Sequence, residues 1–223
     1  DATDVISGVS GGSIVAAYYA AFGPDRLEDF MRAFLHQGFQ NNLLKQALKP
    51  VNMLRLLSSD FGRSQLLEQR LEELFQGSTF GDVRKRHRHP ELLVSATDLA
   101  QGAVFEFTSE QFDLLCSDFA SVPLSFAVTA SSAVPLVLSP MTLKNYSQQC
   151  RERSIDQALP ASQDGGFRAR LYFLQQHSYL DDAVRPYVHL VDGGVSDNLG
   201  IRRLLDRTLA GASLRNGFDE VDI

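Results

Sequence analysis

The chain has 223 residues, of which 44% are hydrophobic and 22% charged, and its formal net charge is −6. This balance is typical of one large globular domain with a substantial core, and it argues against nucleic acid as a partner, because nucleic-acid binding calls for a basic stripe. No apolar run reaches the ~20 residues of a membrane-spanning helix. No signal peptide is visible either, but the sequence begins at Asp1, without Met, and we expect it to be part of a longer chain.

Strands and helices alternate along the sequence, which predicts an α/β fold in a single domain over residues 1–223. Apolar periodicity predicts helices at 13–21, 24–38, 41–57, 64–75, 122–132 and 201–209, with Ser64 as a candidate N-cap. Strands are predicted at 4–6, 92–99, 104–107 and 187–191, with a short extended piece at 137–141. A polar insertion is predicted over about residues 150–186, and 150–166 is its best candidate for a mobile stretch.

The segment Gly8-Val9-Ser10-Gly11-Gly12 lies between a predicted strand and a predicted helix. In that context the pattern G-x-S-x-G predicts a nucleophile elbow, a sharp turn that holds the serine in a strained backbone conformation. Side chains at the flanking glycine positions would clash. The turn would lift the Ser10 hydroxyl to a helix N-terminus, where the N–H of Gly11 would face the oxyanion of an acyl-transfer intermediate. A glycine-rich turn without chemistry, or one that binds phosphate, is the alternative.

A serine nucleophile needs a base, and the five histidines fit that role poorly. In α/β-hydrolases the order is Ser, then Asp or Glu, then His, whereas no histidine follows His189. The other four are predicted to be surface or structural residues, and they are His36, His87, His89 and His177.

Asp192 is a better candidate for the proton acceptor. It ends the apolar strand at 188–191 and is followed by two glycines, which is the same strand-end placement as Ser10. Ligand sites in α/β sheets lie at the carboxyl ends of strands, and a carboxylate beside the serine can accept its proton. The alternative is that Asp192 caps a turn, because Asp-Gly-Gly is a common turn sequence.

Neither cysteine has metal-ligand spacing, and we predict no metal and no cofactor. Two buried free thiols are the default expectation for Cys116 and Cys150. A disulfide between them is the alternative, and it would favour an extracytoplasmic location. The basic cluster at 84–89 is predicted to be a solvated loop, with a contact to anionic lipid headgroups as the less favoured reading.

Four motifs in chain order together resemble the patatin-like phospholipases, also called lipid acyl hydrolases. They are Gly8-Val9-Ser10-Gly11-Gly12-Ser13, Ala96-Thr97-Asp98-Leu99 followed by Gly102, Ala130-Ser131-Ser132-Ala133-Val134-Pro135, and Asp192-Gly193-Gly194 continued by Val195-Ser196-Asp197-Asn198. The resemblance implies a Ser-Asp dyad without histidine, in which Ser10 is the nucleophile and Asp192 the proton acceptor. It also implies a three-layer α/β/α fold with a central, mainly parallel sheet, and hydrolysis of acyl esters in membrane lipids.

The sequence departs from the family at one motif. Members carry a glycine-rich oxyanion loop on the strand before the nucleophile, and the sequence given starts at Asp1 without one. Asp164-Gly165-Gly166-Phe167-Arg168 resembles part of that loop, but it follows the nucleophile and is interpreted as a coincidence. Loss of one oxyanion donor lowers the rate by about 10²–10³-fold, so with Gly11 alone this stretch is expected to be weakly active or inactive.

The first functional hypothesis is therefore a serine acyl hydrolase that cleaves fatty-acyl esters of phospholipids or related lipids through an acyl-Ser10 intermediate. Its partners would be a lipid ester substrate and a peripheral membrane surface. Residues 41–57 would cap an acyl-chain channel or touch the membrane, with an ordinary core helix as the alternative. Two other hypotheses stay open: a catalytically weak lipid- or partner-binding member of the same fold, and a conventional Ser-His-Asp esterase.

Overall fold

A computed structural model describes residues 5–32, 63–86, 90–150 and 167–201 of the chain. Within these ranges the strands are β1 (Val5–Val9), β2 (Glu91–Asp98), β3 (Ala103–Glu106), β4 (Met141–Lys144) and β5 (Tyr187–Val191). The α-helices of the same ranges are α1 (Gly11–Phe22), α2 (Leu27–Phe30), α3 (Arg63–Phe75), α4 (Phe80–Arg86), α5 (Ser109–Leu114), α6 (Leu124–Ser131), α7 (Phe167–His177) and α8 (Gly194–Asp197). The 3-10 turns are Pro24–Arg26, Phe119–Ser121, Ser147–Cys150 and Ser178–Leu180.

The five strands form one sheet in which β2 is the central member. β2 pairs with β1 in parallel, and it pairs with β3 and β5 antiparallel, while β4 extends the sheet antiparallel to β5. The α/β fold is confirmed. The described part of the sheet is mixed, where the sequence analysis expected a mainly parallel one, because β3 returns from β2 as a hairpin and β5 enters from the opposite direction.

The register shows how β1 and β5 meet. Ser95 of β2 pairs with β1 and β3, and Thr97 pairs with β3 and β5. Because each strand residue has one neighbour on either side, β3 occupies one side of β2, and β1 and β5 share the other. β1 runs up to Ser95 and β5 runs down to Thr97, so the carboxyl ends of these two strands converge head to head.

The core surrounds the β2–β3 hairpin. The ring of Phe105 lies edge-on to Phe107 at 5.5 Å, to Tyr179 at 6.0 Å and to Phe112 at 6.1 Å between ring centroids. Such pairs add about 0.5–1.5 kcal/mol each beyond the burial of their apolar area. α1 packs along β1 and β2, and α6 packs between β2 and α3. The hairpin is therefore a rigid platform for the residues at the end of β2.

Several predicted elements agree with the structure, and some boundaries differ. The predicted strands at 92–99 and 187–191 correspond to β2 and β5, and the predicted helix at 122–132 corresponds to α6. Ser64 lies inside α3, where its hydroxyl donates to the carbonyl of Ser139 and does not cap the helix. Residues 84–86 form the end of α4 and are not a loop, but all three are exposed, and Arg84 lies over the Phe119 ring. Residues 87–89 of the basic cluster lie outside the described residues. The predicted helix at 41–57 and nearly all of the one at 201–209 lie outside the described residues.

The predicted polar insertion is folded where the structure describes it. Residues 167–180 form α7 and a 3-10 turn, and an ion pair joins the partly exposed Arg185 to the buried Asp98 at the end of β2. The hydroxyl of Tyr179 donates to the same carboxylate at 2.7 Å, and Asn145 donates to the carbonyls of Tyr179 and Arg185. These contacts anchor residues 179–185 to the sheet, and the stretch 151–166 lies outside the described residues.

Cys116 and Cys150 form a disulfide, with their Cα atoms 5.7 Å apart. The default expectation of two free thiols is therefore wrong for this structure. The bond joins the end of α5 to the 3-10 turn after β4, two segments that are 34 residues apart in the chain. Across the described residues, no helix is long and apolar enough to cross a membrane.

Candidate active site

The turn that carries Ser10 is strained. β1 ends at Val9 and α1 begins at Gly11, and Ser10 between them has φ 52° and ψ −134°. A non-glycine residue with positive φ at a functional turn costs on the order of 1–3 kcal/mol and has to be held by its surroundings. A Cβ at Gly8 would lie 2.5 Å from the Cα of Ser13, so only glycine fits there. Gly12 differs, because a Cβ at that position would meet nothing within 4 Å in the part of the chain that the structure describes, and the clash expected at Gly12 is absent there.

Hydrogen bonds hold the backbone of Ser10 on both sides. Its N–H donates to the hydroxyl oxygen of Ser131 at 2.9 Å. Its carbonyl accepts from the N–H of Ser13 at 3.0 Å and from the Ser13 hydroxyl at 2.6 Å. The strained conformation is therefore tied to the end of α6 and to the first turn of α1.

The turn that carries Asp192 is held by neighbouring backbone and by β2. The N–H of Asp192 donates to the carbonyl of Ala133 at 2.9 Å, and the Thr97 hydroxyl donates to the carbonyl of Asp192 at 2.8 Å. A Cβ at Gly193 would lie 2.4 Å from the carbonyl oxygen of Ser95, so this glycine allows the turn to pack directly on β2.

The two turns bring Ser10 and Asp192 into contact. The Ser10 hydroxyl donates to Oδ2 of Asp192 at 2.6 Å, across 182 residues of sequence. The second carboxylate oxygen, Oδ1, accepts from the N–H of Gly194 at 2.7 Å. Asp192 is buried, whereas Ser10 is half-buried at the surface. A hydroxyl that is bonded to an oriented carboxylate can lose its proton to that carboxylate as it attacks an electrophile.

The space beside Ser10 is open. Gly11 and Gly12 are exposed at the start of α1, and among the described residues outside the turn itself a Cβ at either one would meet no atom within 4 Å. The first N–H groups of a helix have no intrahelical partner and carry the positive end of the helix dipole. The geometry therefore leaves room for a substrate carbonyl next to Ser10, with the N–H of Gly11 beside it.

The histidines described by the structure lie in other contacts. The His177 ring lies 4.2 Å from the Phe173 ring between centroids, and Nδ1 of His189 shares a hydrogen bond with the Thr142 hydroxyl at 2.9 Å. The remaining three, at positions 36, 87 and 89, lie outside the described residues. Among the residues with a described position, no group of three or more His, Cys, Asp or Glu side chains could hold a metal ion.

The comparison with protein families decides the assignment. Residues 1–205 match the family model described as patatin-like phospholipase. The chain belongs to the patatin-like phospholipase family. Membership implies hydrolase activity on lipid esters, and therefore lipid substrates. No curated protein and no solved structure gives a significant match.

Sequence reasoning missed the residues that connect the two turns. The structure brings Ser10 and Asp192 together, as expected, but the connection runs through Ser131, Ala133 and Thr97. These residues lie in the motifs 96–99 and 130–135, which the sequence analysis used only for their family resemblance. Small and polar residues in a motif between the two turns were the available signal, yet no sequence pattern shows which backbone groups they bind.

Proposed function

We propose that this patatin-like chain is a serine acyl hydrolase that cleaves fatty-acyl esters of phospholipids or related lipids, with Ser10 as nucleophile and Asp192 as proton acceptor. The observation that carries the proposal is the 2.6 Å hydrogen bond from the Ser10 hydroxyl to Asp192. It is supported by the strained Ser10 backbone and by the open space at the start of α1.

The proposed reaction has two steps. In the first, the Ser10 oxygen attacks the ester carbonyl carbon, Asp192 takes the hydroxyl proton, and the N–H of Gly11 stabilises the oxyanion. The intermediate then expels the alcohol, which receives the proton from Asp192, and an acyl-Ser10 ester remains. In the second step Asp192 takes a proton from water, and the water oxygen attacks the acyl carbon. The bond from that carbon to the Ser10 oxygen breaks, Ser10 regains its proton from Asp192, and the fatty acid is released.

The test is turnover of p-nitrophenyl butyrate by purified full chain. Ser10→Ala is expected to lower kcat by about 10⁴-fold or more, and Asp192→Asn by about 10²–10⁴-fold. Ser125→Ala is the matched control, because Ser125 also donates to a carboxylate but is buried in α6. The control should keep turnover close to the wild-type value, with each variant's folding checked by circular dichroism. Wild-type turnover in either dyad variant would overturn the assignment.

A fluorophosphonate probe gives an independent readout, because it reacts covalently with activated serines. The probe should modify Ser10 in the wild-type chain, and mass spectrometry should find no modification at Ser125. An unmodified Ser10, together with binding of lipid, would favour the alternative of a lipid-binding member of the family. Loss of turnover in His177→Ala or His189→Ala would instead favour a Ser-His-Asp esterase.

We also propose that the site faces a lipid surface. Two chain segments flank the dyad, since Ala133 binds the N–H of Asp192 and a Cβ at Gly200 would lie 2.9 Å from the side chain of Val9. Both segments expose apolar side chains, namely Val134, Leu136, Val137, Val195, Leu199 and Ile201. Apolar side chains next to a site favour contact with lipid tails.

Cosedimentation with phosphatidylcholine vesicles tests this surface. Leu136→Ser should weaken vesicle binding, because Leu136 is fully exposed. The same variant should keep wild-type turnover of the soluble butyrate ester. The matched control is Leu174→Ser, which changes an exposed leucine on α7. Equal loss of binding in both variants would contradict a surface centred on the dyad.

A further inference from the structure

Ser131 joins the two turns of the candidate site. Its hydroxyl accepts from the N–H of Ser10 at 2.9 Å and donates to the carbonyl of Ser95 at 2.7 Å. Its own carbonyl accepts from the N–H of Gly193 at 3.0 Å. A single fully buried residue at the end of α6 therefore contacts the turn of the nucleophile, the central strand and the turn of the base.

The direction of these hydrogen bonds is determined by the partners. A backbone N–H can only donate and a carbonyl oxygen can only accept. The hydroxyl proton of Ser131 therefore points to the carbonyl oxygen of Ser95, and a lone pair of the hydroxyl oxygen points to the N–H of Ser10. The hydroxyl cannot turn toward Asp192 or a substrate without leaving one of these buried groups unpaired. Ser131 thus has no proton to contribute to the reaction, and its role is geometric.

The backbone of Ser10 is the feature that requires such support. Its φ of 52° and ψ of −134° are unfavourable for a residue with a side chain. The bond from its N–H to Ser131 opposes relaxation of the turn, and relaxation would move the hydroxyl away from Oδ2 of Asp192. The same movement would change the direction of the Gly11 N–H, since the two residues share a peptide unit.

We infer that Ser131 is a positioning residue of the proposed hydrolase, whose hydroxyl holds the strained Ser10 backbone so that the nucleophile stays aligned with Asp192. This inference rests on the proposed function. Ser131 acts on the alignment of the reacting groups and not on the binding of the acyl chain. Its removal should therefore lower the rate at which acyl-Ser10 forms and leave the affinity for the ester substrate unchanged.

The experiment compares Ser131→Ala with Ser132→Ala in the full chain, again with p-nitrophenyl butyrate. Ser132 is the matched control, because it is the next residue and its buried hydroxyl has no hydrogen-bond partner in the described part of the chain. Ser131→Ala is expected to lower the rate of acylation by about 10²-fold, and kcat with it, a loss typical of a small misplacement of reacting groups. Burst kinetics should assign this loss to formation of acyl-Ser10. Ser132→Ala should keep the wild-type kcat and the wild-type burst.

A second variant covers the case in which Ser131→Ala does not fold. Ser131→Cys keeps a weak donor and acceptor of similar shape, and its kcat should lie between those of the alanine variant and the wild type. The thermal midpoint and the acylation rate of folded protein are both measured, because a purely structural role would lower only the midpoint. A wild-type acylation rate in Ser131→Ala, or in Ser131→Cys when the alanine variant does not fold, overturns the inference.

Ser10→Ala in the same assay distinguishes failure of the positioning role from failure of the proposed function. Lost turnover in Ser10→Ala, with unchanged kcat in Ser131→Ala, overturns the positioning role and leaves the proposed function standing. Full turnover in Ser10→Ala overturns the proposed function and the positioning role together. Reduced kcat in Ser131→Ala, with inactive Ser10→Ala and active Ser132→Ala, supports both.

Discussion

Two serine hydroxyls in the described part of the molecule donate to carboxylates, and their surroundings are opposite. In one pair the half-buried Ser10 donates to the buried Asp192. In the other pair the buried Ser125 of α6 donates to the exposed Glu72 of α3. A serine–carboxylate hydrogen bond is therefore not sufficient for a nucleophile, because a substrate has to reach the hydroxyl.

The backbone separates the two pairs further. Ser125 lies in the first turn of a regular helix that packs against α3, and Ser10 lies at a strained junction between a strand and a helix. Exposed Gly11 and Gly12 adjoin Ser10, whereas Ser125 is enclosed by the helix interface. The strained turn and the open helix start therefore distinguish a candidate catalytic pair from a structural one.

The largest expected change in stability comes from Gly193→Ala. Its Cβ would lie 2.4 Å from the carbonyl oxygen of Ser95 and 2.9 Å from Cγ1 of Val9. Backbone in the central strand cannot yield easily, so the free energy of unfolding should fall by about 3 kcal/mol or more. Urea denaturation followed by circular dichroism measures this change. An unchanged midpoint would mean that the Asp192 turn does not need to pack on β2, and the contrast with the Ser125–Glu72 pair would weaken.

Gly11→Ala is expected to lower turnover without lowering the stability of the fold. Its Cβ would contact none of the described residues beyond its own helix turn, and alanine is favoured over glycine in a helix, so stability should stay equal or rise by about 0.4–1 kcal/mol. Turnover should nevertheless fall, because the new methyl group occupies the space proposed for the substrate carbonyl. The same urea titration and a butyrate ester assay measure the two effects. Normal turnover in this variant would contradict the use of that space by the substrate.

The glycine positions also show which parts of the candidate site can be predicted from the sequence. The pattern at 8–12 predicts the turn, the strain at Ser10 and the need for Gly8, because each follows from local backbone sterics. The pairing with Asp192 was predicted from strand-end placement, but for a sheet in which parallel strands end together. The two carboxyl ends meet because β1 and β5 converge along one side of β2, and strand direction depends on long-range pairing that no local pattern encodes.

The smallest expected effect is a change in stability at Glu68, which lies on α3 near the Ser125–Glu72 pair. Burial raises the pKa of Glu68 above its ordinary value of 4.5, and the negative charge of Glu72 raises it further. Because the folded state holds this proton more tightly than the unfolded state, ionisation of Glu68 destabilises the fold as the pH rises above 4.5. Glu68→Gln removes that penalty and should stabilise the chain by about 0.5 kcal/mol or less at pH 7, since the side chain is only partly buried.

The sign of this effect is tested by urea denaturation of the wild type and of Glu68→Gln. The midpoints are measured between about pH 4 and about pH 8, a range that extends on either side of the ordinary glutamate pKa. The gain should become small at the acid end, where Glu68 is largely protonated in both the folded and unfolded states. Glu72→Gln should reduce the gain, because it removes the charge that adds to the effect of burial. Turnover should stay at the wild-type value in Glu68→Gln, since this carboxylate belongs to the α3 surface beside the structural pair. If turnover instead changed with pH in step with the ionisation of Glu68, the surroundings of the Ser125–Glu72 pair would be coupled to the candidate site. The distinction between this pair and the Ser10–Asp192 pair would then be lost.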